Sequence, residues 1–282
     1  MDASPAADDV PLYHQYYPAH GGDAASVPAG RPLVILHGLL GASGNWHTLG
    51  RGPLSEGRDV YALDQRNHGR SSHHDAFGYA EMAADLEHFL KTHDLAPAAL
   101  LGHSMGGKTA MHAALAFPEA VERLVVADIA PKAYPPHHEA IFEALRGIDP
   151  AEYDRRNEID AALAEHVKAR PVRQFLLKNL DYDAGDENRS GRYRWQMNLS
   201  AIHAAYDEIA AGLSDDLNGT TYDGPALFVR GEHSDYVADA DLGAIRTRFP
   251  QARLETVEGA GHWLHADRPD AFAEVVTTFL NE

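Results

Sequence analysis

The run Pro32-Leu33-Val34-Ile35-Leu36 is apolar without a break and stops at His37-Gly38. A strand of that kind has no side for water. Both of its faces must be covered, as they are when helices pack on each side of a parallel sheet. Similar runs return at 59–64, 98–101, 121–127, 226–229 and 252–257, and residues 12–17 form a shorter strand-like stretch. Helical patterns lie among them. Residues 79–93 carry Met82, Leu86, Phe89 and Leu90 on one face, 108–117 stop before Pro118, and 269–280 bury Phe272, Val275, Val276 and Phe279. The alternation breaks in 132–218, where strand signals vanish and amphipathic helical segments are interrupted by Pro135-Pro136, Pro150, Pro171 and Gly185. Strand and helix alternating on both sides of an all-helical block predict an α/β fold. Its core is a doubly wound, mostly parallel sheet from 1–131 and 219–282, with a helical cap inserted at 132–218.

At 282 residues the chain has room for one large α/β domain with such an insertion. No segment approaches the roughly 18 consecutive apolar residues of a membrane helix. Residues 1–10 are acidic and Ala-rich, without a basic start ahead of an apolar stretch, so no secretory signal is expected. The absence of cysteine removes disulfides, a thiolate nucleophile and Cys-based metal sites, and makes the cytoplasm the expected compartment. Against 42 Asp and Glu stand 24 Lys and Arg, a formal charge of −18. So acidic a surface repels nucleic acid and anionic membrane, and neither is an expected partner.

The strongest chemical feature is Gly102-His103-Ser104-Met105-Gly106-Gly107, a G-x-S-x-G sequence between an apolar strand ending at Leu101 and a helix beginning near Lys108. The bare pattern is common, but this context is not. A serine on a tight strand-to-helix turn is held in a strained conformation with its hydroxyl projected, and small residues at 102 and 106 let neighbouring backbone pass. Ser104 is therefore the expected nucleophile. The helix N-terminus behind it favours developing negative charge. An oxyanion hole needs two backbone N–H groups aimed at one point. Met105 is expected to supply one, and Leu39, in His37-Gly38-Leu39-Leu40-Gly41, the other, with Leu40 next in line.

A serine needs a histidine base, and the chain offers 18. In hydrolases with this turn the order along the chain is Ser, acid, His. His262, in Gly259-Ala260-Gly261-His262-Trp263 between the last strand and last helix, fits, with His265 as runner-up. His103 is expected to be structural. The pairs His73-His74 and His137-His138 lack a third metal ligand at sensible spacing and read as exposed loop histidines. Two residues compete for the acid. Asp128 follows the strand 121–127 and Asp235 follows the strand near Arg230, both at carboxyl ends where α/β catalysts gather. Asp128 is preferred, and Asp235 stays open as the alternative.

Taken together, residues 37–46, Asp64-Gln65-Arg66-Asn67-His68-Gly69-Arg70-Ser71, Gly102-His103-Ser104-Met105-Gly106-Gly107-Lys108, Asp128-Ile129-Ala130-Pro131 and Gly261-His262-Trp263-Leu264-His265-Ala266 resemble the YbfF-type esterases. These are bacterial α/β-hydrolases related to the abhydrolase-domain proteins of mitochondria. The likeness runs from about residue 31 to the C-terminus. It implies an esterase or thioesterase with a small helical cap, acting on acyl esters and acyl-CoA, with its acid taken from the Asp-Ile-Ala-Pro motif. That favours Asp128, although the chain also offers Asp235.

The expected reaction is acyl transfer through an acyl-enzyme on Ser104, with no metal, nucleotide or redox cofactor and a small-molecule ester or thioester as partner. Asn45 and Trp46 are expected to line the acyl pocket, Trp46 being equally suited to the core. Arg192, with Arg189 and Arg194 near Tyr193 and Trp195, and Arg155, Arg156, Arg170 and Arg173 elsewhere in 132–218, offers a cationic rim for the phosphates of a CoA ester. The competing reading of these arginines is salt bridges with nearby acids. The fold also serves C–C bond hydrolases and cofactor-free perhydrolases, while a silent binding protein would not need an intact Ser104 and His262.

Overall fold

The computed structural model describes residues 10–21, 30–185 and 191–282. Seven strands form one twisted sheet: β1 (His14–Tyr17), β2 (Leu33–Leu36), β3 (Val60–Leu63), β4 (Ala98–His103), β5 (Val121–Ala127), β8 (Ala226–Gly231) and β9 (Ala252–Val257). Their order is β1-β3-β2-β4-β5-β8-β9. β1 runs antiparallel to β3 and every other pair is parallel. The hydrophobic runs explain the arrangement. All residues of β2 and β4 are buried, so both strands lie inside the sheet with helices on each face.

Alternate residues of these strands enter two separate cores. Val34, Leu36, Leu100 and Val126 pack with α2 (Tyr79–Thr92) and α3 (Met105–Ala116). Leu33, Ile35, Leu101 and Val125 pack with α1 (His47–Arg51) and α11 (Pro269–Leu280) on the other face. Each fully buried Leu, Ile or Phe contributes about 1.5–3 kcal/mol to the stability of these two layers. The expected doubly wound sheet is present. It also holds a short helix not anticipated, α9 (Leu242–Arg248), of which only Ile245 is buried, too little for a periodic pattern.

Between β5 and β8 the chain leaves the sheet. The insertion contains α4 (Glu139–Arg146), α5 (Arg156–His166), α6 (Arg170–Leu176), α7 (Leu199–Ala204) and α8 (Tyr206–Ala210). It also contains an antiparallel pair, β6 (Leu180–Asp183) and β7 (Arg192–Trp195), so the expectation of an all-helical block is corrected. The reason is local: in Arg192-Tyr193-Arg194-Trp195 the arginines are exposed and the aromatics half-buried, a period of two in a strand too short to register beside helices. Phe142, Ile159, Leu163 and Ile202 give the insertion its own core, joined to the main domain through Leu40 and Met105. No helix among the described residues is long and apolar enough to cross a membrane.

Register sets the site. Leu36 pairs with Gly102, His103 with Ala127, and Ala127 with Val229. The carboxyl ends of β2, β4, β5 and β8 therefore finish in a row, directly under the insertion.

Candidate active site

Ser104 sits between β4 and α3 with φ 52° and ψ −117°. A non-glycine residue with positive φ costs on the order of 1–3 kcal/mol unless its surroundings impose it. Here they do. The Ser104 N–H donates to Ala127 O (3.0 Å), and Lys108 N–H donates to Ser104 O (3.1 Å). A Cβ on Gly102 would strike the carbonyl of Gly106, and one on Gly106 would strike the carbonyls of Leu36 and His37. The two glycines are thus a packing requirement of the turn.

His262, in the loop between β9 and α10 (Leu264–Asp267), places Nδ1 2.7 Å from Asp128 Oδ2. Asp128 itself is wholly buried. It accepts the Gly231 N–H (3.1 Å) on Oδ1 and the Ser234 hydroxyl on Oδ2. With a carboxylate at Nδ1, neutral His262 carries its proton there and leaves the Nε2 lone pair free as a base. The His103 Nε2–H donates to His262 O (2.8 Å), a structural role as expected for that ring. The Tyr236 ring stacks on His262 with centroids 3.9 Å apart.

The alternatives stand elsewhere. Asp235 is exposed, and it is its neighbour Ser234 that turns inward to Asp128, so Asp235 is not the carboxylate at His262. His265 stacks on Trp46 (4.4 Å), and burial pushes its pKa down to about 3, leaving it a neutral packing group.

The loop 37–41 is held from two sides at Leu40, whose φ is 57°. Its N–H donates to His68 Nε2 (3.2 Å), and its carbonyl accepts from Asn179 Nδ2 of the insertion (2.8 Å). Leu40 N–H is therefore committed. Among the described residues the N–H groups of Leu39 and Met105 donate to no protein acceptor, as an oxyanion hole requires. His37 fixes the start of the loop. Its Nε2 accepts the Gln65 N–H (3.0 Å) while its Nδ1–H donates to Gly38 O (2.8 Å). Burial lowers the pKa of His37 to about 4 and that of His68 to about 3, so both rings are neutral braces.

Two cavities meet at Ser104. The larger, about 220 Å³, has apolar walls that include Trp46, Val172, Phe175 and Trp263, and it also reaches Asn45 and His262. Asn45 and Trp46 thus line it, and Trp46 is at the same time almost fully buried in the core. The smaller cavity is bounded by Tyr79, Lys108, Tyr134, Tyr206 and Tyr236. Leu39, Ser104, His137 and His138 border both. The expectation that 137 and 138 are exposed loop histidines is corrected for His138, which is half-buried at this junction.

Arg192 lines neither cavity. It is exposed on β7, whose aromatics take the inner side, and Arg194 beside it is bound to Asp181 (2.7 Å). Arg173 is bound to Asp160 (2.7 Å), while Arg155, Arg156 and Arg170 are exposed, and Arg189 lies outside the described residues. The described arginines behave as salt-bridge and surface groups, and for them the expectation of a cationic rim at the site is corrected. His68 lies in 64–71, a segment that reads in the sequence as a loop bracing the site, whereas sequence reasoning missed Asn179, Tyr206 and Tyr236. Each lies on a different segment and gains meaning only through the fold.

A family profile described as the alpha/beta hydrolase fold matches residues 31–269. The chain is 40% identical over 266 residues to mouse (Mus musculus) "sn-1-specific diacylglycerol lipase ABHD11", covering 92% of this chain and 82% of that protein. It is 32% identical over 252 residues to "Esterase YbfF" of Escherichia coli, covering 89% of this chain and 93% of that protein. Among solved structures a "Marine microorganism esterase" superimposes with a TM-score of 0.86 at 40% identity, covering 96% of this chain and 99% of that one.

Proposed function

Because this chain belongs to the α/β-hydrolase fold family, with YbfF-type esterases and ABHD11 lipases among its relatives, we propose that it is a serine hydrolase of carboxylic esters. The observation that carries this reading is the pairing of His262 Nδ1 with wholly buried Asp128, in a loop that borders the same cavity as strained Ser104. The residues take these roles. His262 Nε2 accepts the Ser104 hydroxyl proton as Oγ bonds to the ester carbonyl carbon. The carbonyl oxygen, now an anion, is met by the N–H groups of Met105 and Leu39. The intermediate collapses, the C–O bond to the alcohol breaks, and His262 returns the proton to the leaving oxygen. Water then repeats the sequence on the acyl-enzyme, releasing the acid and restoring Ser104.

The apolar walls of the larger cavity suit the acyl chain, and we read the segment 132–218 as the cap that supplies Val172 and Phe175 to them. A diacylglycerol, the substrate named for the ABHD11 lipases, is a reasonable first lipid to offer it. With no arginine among the described residues lining either cavity and a charge of −18, the chain favours neutral esters over acyl-CoA, whose phosphates it repels. Lack of cysteine is in keeping with a cytoplasmic place of action. Hydrolysis of a p-nitrophenyl ester series beside an acyl-CoA series tests the reading. Turnover of the esters with weak turnover of the CoA thioesters is expected, and no turnover of any ester overturns it.

A further inference from the structure

Tyr206 fixes the proton on a neighbouring ring. Its oxygen accepts two backbone N–H groups, from His137 and His138, each at 3.0 Å. Both acceptor positions are then filled, so its one proton must go to His138 Nδ1, 2.6 Å away. His138 is consequently the Nε2–H tautomer. Burial holds its pKa down at about 4, which keeps it neutral near pH 7. Nε2 has no partner among the described residues, and it is not among their buried unpaired atoms. His137 differs. Its Nδ1–H donates to Pro135 O (2.8 Å) and its Nε2 accepts from the Tyr236 hydroxyl (2.7 Å), so both of its nitrogens are occupied. Where the two cavities meet over Ser104, the ring donor left open is His138 Nε2–H.

We infer that His138 is a specificity-determining residue that donates Nε2–H to an oxygen on the alcohol portion of the ester, selecting substrates whose leaving group carries a hydroxyl or ether oxygen close to the scissile bond. This rests on the ester hydrolase reading above. The acyl chain occupies the apolar cavity with Trp46 and Phe175, which leaves the alcohol on the side of Tyr134, Tyr206 and Tyr236. His138 stands at the border between them. An imidazole locked in one tautomer has paid none of its donor capacity to the protein at Nε2, and an apolar alcohol would leave that N–H facing a methyl group.

The test is a matched pair of butyrate esters, 2-hydroxyethyl and n-propyl, which differ by a hydroxyl in place of a methyl. The readout is the ratio of their kcat/KM values within one preparation, which does not depend on how much of a variant folds. The wild-type chain is expected to prefer the hydroxyethyl ester. His138→Phe should lower that ratio about fivefold to tenfold, the worth of one neutral hydrogen bond. Tyr206→Phe frees the tautomer and should lower the ratio by a smaller factor. A ratio unchanged in His138→Phe overturns the inference, including the case in which both esters lose equally. Failure of the wild-type chain to cleave either ester overturns the hydrolase reading instead.

Discussion

Asp128 shows what a single residue needs in order to hold an imidazole. Its carboxylate receives His262 Nδ1, Gly231 N–H and the Ser234 hydroxyl, and none of it reaches water. Asp128→Asn should therefore lower kcat about 10⁴-fold by disturbing the imidazole tautomer, while Asp235→Asn should stay within about twofold of wild type. Steady-state rates on one ester check both. The choice between these aspartates was open in the residues because each follows a strand end. What separates them is their place in the fold. Asp128, favoured already by its Asp-Ile-Ala-Pro motif, has φ 55° and meets His262 Nδ1, while Asp235 stays exposed. The buried histidines carry a second consequence. An unfolded chain protonates His37 and His68 near pH 6.5, but in the fold they resist protonation to about pH 4 and about pH 3. As pH falls below 6.5 the unfolded state binds protons that the native state does not, so stability drops, by at most about 1.4 kcal/mol per pH unit for each ring. That loss ends once the folded pKa is passed. The urea midpoint should decline from pH 7 toward pH 4.5, and a flat midpoint contradicts the neutral braces.

The elements matter through their ends. β4 and α3 were legible because their apolar runs are long, and the serine turn between them follows from two glycines that the carbonyls of residues 36, 37 and 106 leave no room to replace. The pair β6 and β7 was not legible, since four-residue strands give periodicity little to work with. Hidden for the same reason was Asn179, placed just before β6, whose Nδ2 donates to Leu40 O and to Leu176 O (3.1 Å). Through it the insertion holds the loop that carries Leu39. Asn179→Ala should lower kcat about tenfold, part of the 10²–10³ that one oxyanion donor is worth, and leave KM within about twofold. Equal kcat in variant and wild type would detach the insertion from the oxyanion loop.

At the scale of the whole molecule, the sheet order and register bring together residues that the chain keeps far apart. Ser104 stands after β4, Asp128 after β5 and His262 after β9, and the carboxyl ends of β4, β5, β8 and β9, in that order along the sheet, bring the three loops together. This much could be anticipated, because alternating strands and helices fix a parallel sheet whose loops gather at one edge. The packing of the insertion could not, as its aromatic and histidine contacts depend on how short helices settle over that edge. The central claim is that this closure makes the Ser104 hydroxyl nucleophilic. Its most direct test is labelling of the folded protein with a fluorophosphonate, followed by peptide mass analysis. One adduct per chain on the peptide holding Ser104, strongly slowed in His262→Ala, is the predicted result. An unmodified Ser104, or an adduct formed at the same rate without His262, would contradict it.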